Sequence, residues 1–189
     1  MRLAILSCST LVLATFALGC EDPVPPTPQG AFMVNFFDTG AECPHKSHQS
    51  AMGVLSSIDR TTIAVDGVKG ASVTCSVKGP DLGPFSVEAA YDFEGTEILN
   101  VSISKIDSKA TEDAPAQGLV GFSSSITGGD FFGSSEPCEF YIEPAGPSGI
   151  GEGVKPGSAW LSFKCPTMVE SNNTCAINES YVLMENCTQ

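Results

Sequence analysis

The chain has 189 residues, with 22 Asp and Glu against 9 Lys and Arg, a net charge of −13 with the histidines neutral. That balance argues against nucleic acid and anionic lipid headgroups as partners, since both are held by clustered bases, and a net charge far from zero favours solubility. Charged residues make up only 16%, Gly (19) and Pro (13) are plentiful, and the length leaves room for one domain with a core of its own.

The chain opens Met1-Arg2 and continues in an uncharged run from Leu3 to Leu18. As a helix this run would span about 24 Å, short of the roughly 30 Å hydrocarbon core of a bilayer. A basic start, a short apolar stretch and small residues at its exit describe a secretory signal over residues 1–19. The exit reads Phe16-Ala17-Leu18-Gly19-Cys20. It resembles the lipobox of bacterial lipoprotein precursors at Gly19 and Cys20, and departs from it at Ala17-Leu18, where that class more often has Leu and then Ala or Ser. The resemblance covers only these first residues. It implies cleavage before Cys20, a diacylglycerol on the Cys20 thiol, a palmitate-type chain on the new amine, and a bacterial envelope membrane as partner. In enteric members an Asp after the cysteine signals retention in the inner membrane; Glu21 stands here, which implies the outer one. Ordinary secretory cleavage at the same bond is the competing reading.

Cysteine parity weighs between the two. Of eight cysteines, Cys8 leaves with the signal. With lipid on Cys20, the remaining Cys43, Cys75, Cys138, Cys165, Cys175 and Cys187 form an even set that can pair completely; without it, one reactive thiol is left over. Six pairable cysteines in an exported chain read as a disulfide framework. Residues 20–30 then read as a tether, because Glu21–Gly30 contains four prolines, which favour an extended chain of about 3.1 Å per residue.

From residue 31 to 189 the apolar period is two almost throughout, which predicts strands. Phe32, Val34 and Phe36 share a face, as do Val73, Cys75 and Val77. The same holds for Phe85, Val87, Ala89, Tyr91 and Phe93, and for Leu99, Val101 and Ile103. Later runs place Cys138, Phe140 and Ile142 together, and then Ala159, Leu161, Phe163 and Cys165. Met52, Leu55 and Ile58 have helical spacing, but Gly53 interrupts them and a strand is expected. Asp66-Gly67 and Glu94-Gly95 are hairpin candidates; residues 107–117 read as a polar loop with at most one turn of helix. About ten short, one-sided strands predict an all-β, antiparallel, disulfide-stapled β-sandwich or jelly roll, since a parallel sheet would be apolar on both faces. Six cysteines allow fifteen pairings. Cys165–Cys175, flanking the polar Pro166–Thr174, is the one expected.

Chemistry-bearing motifs are few. Cys43, His45 and His48 have metal-like spacing, but Pro44 and the polar context suit a loop, and Cys43 is needed for disulfide parity. Glu139 and Glu143 on one strand face would sit about 13 Å apart, beyond the roughly 5–9.5 Å of a glycosidase pair. The glycine-rich Gly149–Gly157 runs into a strand and not a helix, so it is no phosphate loop. No G-x-S-x-G, H-E-x-x-H or P-loop occurs, and no cofactor is expected. Trp160, the only tryptophan, falls on the polar face of its strand with Tyr141 in a neighbouring run, an arrangement that suits sugar stacking if the face is open. The expectation is a membrane-anchored, non-catalytic binding or structural module of the envelope. The alternatives are a hydrolase or metal protein using His45 and His48, and a glycan binder using Trp160.

Overall fold

The computed structural model describes residues 25–54, 62–143 and 153–189. The signal segment, Cys20, Glu21, Leu55, Ile58 and residues 149–152 of the glycine-rich run lie outside them. Twelve strands follow in order: β1 (Gln29–Phe37), β2 (His48–Met52), β3 (Ala64–Val65), β4 (Ala71–Lys78), β5 (Phe85–Phe93) and β6 (Glu97–Ile106). Then come β7 (Ala116–Ser123), β8 (Phe132–Ser134), β9 (Cys138–Tyr141), β10 (Gly153–Lys155), β11 (Ser158–Glu170) and β12 (Asn173–Glu185). Among the described residues there is no helix, hence none long and apolar enough to cross a membrane.

The expected antiparallel all-β fold is present, as one continuous sheet and not two separate ones. Its strand order is β2-β1-β12-β11-β8-β7-β6-β5-β4, with β9 also bridging β11 and β7, β10 on β11, and β3 on β1. The sheet folds over on itself, so β1 and β12 lie across the core from β5–β7. Phe32 meets Tyr91 edge-on at 5.7 Å, and Phe36 meets Phe122 at 5.5 Å. Tyr91 spans the core and donates its hydroxyl to the Leu183 carbonyl at 2.9 Å. Gly30 makes room for it, because a Cβ there would stand 2.5 Å from Tyr91 Cε1.

The alternating residues named above line this core, except Phe93 and Ile142, which pack at its rim. Alternation decides this because adjacent side chains on a strand point to opposite faces. The β5–β6 hairpin turns at Glu94-Gly95, both with positive φ, 56° and 70°, the conformation that tight hairpin turns demand. Asp66-Gly67 does not make a hairpin, because β3 pairs with β1 and the turn carries the chain across to β4. Residues 107–115 form turns without helix.

The disulfides are Cys43–Cys175, Cys75–Cys187 and Cys138–Cys165. The expected Cys165–Cys175 bridge is therefore wrong. Residues 166–174 are not a loop. The two longest strands run on through them to the turn at Ser171, and the register sets Cys165 opposite Ile177 and Cys175 opposite Met168. Cys138–Cys165 instead joins the neighbouring strands β9 and β11. Cys75–Cys187 seals the β4 edge against the C-terminal segment, where Thr188 donates to Cys75 O (3.0 Å) and Val77 donates to Thr188 O (2.9 Å). That contact blunts an edge otherwise open to strand addition.

Candidate functional site

Three places on this frame gather polar or aromatic side chains. The first is the end of the sandwich carrying both histidines. The loop after β1 is pinned to the start of β12 by Cys43–Cys175, so Cys43 has no thiolate to offer a metal. His45 Nε2 lies 3.2 Å from Asp130 Oδ2. His48 Nδ1 lies 2.8 Å from the Lys46 carbonyl and its Nε2 2.8 Å from Ser124 Oγ. A carbonyl only accepts, so Nδ1 carries a proton, and in the neutral ring Nε2 accepts from the serine hydroxyl. The two histidines thus face different partners, and no group of three or more His, Cys, Asp or Glu among the described residues is placed to hold a metal.

Ser124 and His48 have the serine–imidazole contact of a hydrolytic pair, a contact the sequence did not suggest. Its surroundings differ from a working site. Ser124 is 1% exposed. The Ser124 N–H donates to Thr127 Oγ1, the Thr127 N–H to Ser124 Oγ, and the Ser125 N–H to Glu97 Oε1. An oxyanion hole needs free donors aimed at the reacting atom, and these three are committed. Glu97 also takes the Ser125 and Ser50 hydroxyls. Together these bonds latch β2 across the core to the ends of β6 and β7.

The second place is a carboxylate and tyrosine cluster on the face of β9, β11 and β12. Burial raises the Glu143 carboxyl above its ordinary value, helped by repulsion from Glu179, a hydrogen bond with it, and repulsion from Glu112. Burial likewise raises the Tyr181 phenol, and Glu179 adds to the effect. Lys164 sits 3.3 Å from Glu112 and 3.2 Å from Glu139, and its hydrogen bonds to Glu139 and Glu112 raise its ammonium. Glu143 is therefore coupled to Glu179 across strands, while Glu139 belongs to Lys164. Two carboxyls in direct hydrogen bond leave no room between them for a glycosidic bond.

Trp160 and Tyr141 lie on this side too, Tyr141 opposite Ser162 and Trp160 two residues along. Contrary to the sequence expectation, neither is an open platform, since Trp160 is 8% and Tyr141 1% exposed. Ser162 between them is also buried. This part of the sheet is covered on both faces, which alternation on one strand does not report.

The third place is the outer face of β4–β8, a trough of about 660 Å³. Cross-strand register lines up Thr74, Ala90, Asn100, Gly121 and Gly133, with Ser76, Glu88, Ser102 and Leu119 in the adjoining row. Phe131, 45% exposed, lies over Gly121, where a Cβ would come within 2.5 Å of its Cζ. Phe131-Phe132 carried the missed signal: adjacent residues of extended chain point to opposite sides, and Phe132, the first residue of β8, is the buried one. Comparison with protein-family models, with curated proteins and with solved structures finds no match for this chain.

Proposed function

We propose that the protein is an exported, lipid-anchored module of a bacterial envelope, held through Cys20 and acting by binding and not by catalysis. The observation that carries the anchor is sulfur pairing. The six cysteines from Cys43 onward close into three bridges, so parity leaves Cys20 as the odd sulfur of the processed chain. Disulfides on this scale also suit an oxidising compartment. Two or more acyl chains hold stably where one is marginal.

The geometry suits presentation away from a membrane. Asn186 Nδ2 donates to the Thr27 carbonyl at 3.0 Å, so the chain enters the domain beside its C terminus. From there β1 runs about 27 Å, at roughly 3.4 Å per residue, to the end that carries His45, His48 and Cys43–Cys175. An anchor at Cys20 would leave that end outermost and the β4–β8 trough along the flank. Mass spectrometry of the N-terminal peptide from the native host tests the anchor. Acylated Cys20 and partition into a detergent phase are expected, with both lost in Cys20→Ala; a free Cys20 amine and thiol would overturn it.

The Ser124–His48 contact is the one observation favouring a hydrolase. A fluorophosphonate probe separates that reading, because stoichiometric labelling of Ser124 in the folded protein would establish it.

A further inference from the structure

The trough on β4–β8 is floored by small and polar side chains, with Phe131 and Leu119 as its exposed large apolar ones. Among the described residues, the side chains of Thr74, Ser76 and Asn100 make no hydrogen bond within the protein, and all three line the trough. Glu88, an exposed residue, is oriented by the Ser102 hydroxyl, which donates to its Oε1 at 2.8 Å. Half-exposed Phe131 stands over Gly121, and Leu119, 55% exposed, lies two residues from Gly121 on the same strand, β7. The row from Thr74 to Gly133 crosses five strands, about 19 Å at roughly 4.8 Å each. The volume falls within the roughly 300–1,000 Å³ of ligand clefts.

Chemistry narrows the occupant. No Lys or Arg lines the trough, and its one charge is the Glu88 carboxylate, on a chain of net charge −13; phosphates, sulfates and acidic polymers are repelled. The backbones of β5, β6 and β7 are already paired on both sides, so a peptide cannot add here as a strand. A wholly apolar ligand would leave the amide, the hydroxyls and the carboxylate without partners. A pyranose ring meets all of these conditions, with its C–H face on an aromatic ring and its hydroxyls toward Asn100, Thr74 and Glu88.

We infer that the outer trough of β4–β8 is a binding site for a neutral oligosaccharide, with Phe131 as the stacking ring and Asn100 and Glu88 as hydrogen-bonding groups. This deepens the binding reading above and rests on it; it does not depend on the lipid anchor.

The test is calorimetric titration of the full mature protein in a sugar-free zwitterionic detergent. The probes are neutral hexasaccharides of β-1,4-glucan, β-1,3-glucan, β-1,4-xylan and α-1,6-mannan, with oligogalacturonate as the acidic control. At least one neutral probe should bind at millimolar concentration or below, and oligogalacturonate should not. Phe131→Ala and Asn100→Ala should each weaken binding at least tenfold. Thermal unfolding of both variants shows whether they fold; if Phe131→Ala does not, because it bares Gly121, Asn100→Ala still decides. Silence across the neutral panel, or binding that neither variant changes, would overturn the site. Oligogalacturonate binding that is lost in Phe131→Ala would sink the neutral sugar while keeping a binding role, and lipidated Cys20 would stand in either case.

Discussion

Replacing Tyr91 by Phe should make the protein less stable at neutral pH and bring it level with the parent near pH 11. Tyr91 is 1% exposed, and its hydroxyl reaches the Leu183 carbonyl across the core. Deleting that bond should cost about 1 kcal/mol at pH 7. Burial holds the phenol far above its ordinary value of 10.0. The sign follows. A folded-state pKa raised above the unfolded one means stability is fully present below about 10 and falls as pH rises, since the unfolded chain releases a proton that the native one retains. The slope is about −1.4 kcal/mol per pH unit, and by pH 11 the parent has lost about 1.4 kcal/mol from this group. Phe has no proton to lose, so the deficit of the variant should vanish between about pH 10.5 and 11 and reverse above. Urea unfolding followed by Trp160 fluorescence at pH 7, 9, 10, 10.5 and 11 measures it. A deficit that stays constant to pH 11 would refute the reasoning, because it would mean that the phenol ionises in the native state.

The bridges should differ in worth. Cys43–Cys175 and Cys75–Cys187 join residues 132 and 112 apart, against 27 for Cys138–Cys165. Loop closure taken one bridge at a time gives about 5 kcal/mol for each long bridge and about 3.5 for the short one, read as shifts in urea midpoint for paired Cys→Ala variants. In Cys138→Ala alone, alkylation and peptide mapping should find the free thiol at Cys165 and not at Cys175. Ser124→Ala, which removes the hydroxyl that His48 and Thr127 share, should cost about 1–2 kcal/mol in the same assay, while a fluorophosphonate leaves the parent unlabelled. The raised Glu143 carboxyl means stability is fully present below its ordinary 4.5 and is lost as pH rises through its folded value. Glu143→Gln should therefore gain on the parent as pH climbs from about 4.5, with no gain at pH 3, as thermal midpoints would show.

Strand positions and the core were legible because period-two alternation is local. Val73, Val77, Leu99, Val101, Ile103 and Phe163 needed only their own neighbours to be placed inward, and all are buried. The turn at Glu94-Gly95 was legible for the same reason, since two adjacent positive φ values select such a pair. The candidate sites were not. Ser124 meets His48 from 76 residues away and Glu97 meets Ser50 from 47 away, and no spacing on one strand encodes either. Trp160 misled because Ser162 and Lys164 beside it look like a solvent face, and whether a second layer covers that face depends on other parts of the chain.

By itself, then, the order of residues determined an all-β body, the inward side of most strands and an even set of sulfurs, since each of these follows from side-chain direction or from counting. Only the tertiary structure decided which sulfurs join, that Trp160 is covered while Phe131 is open, and that five strands align small and polar residues into a trough. These depend on which strands become neighbours and in what register, a choice made by the burial of the whole core and not by any one segment of it.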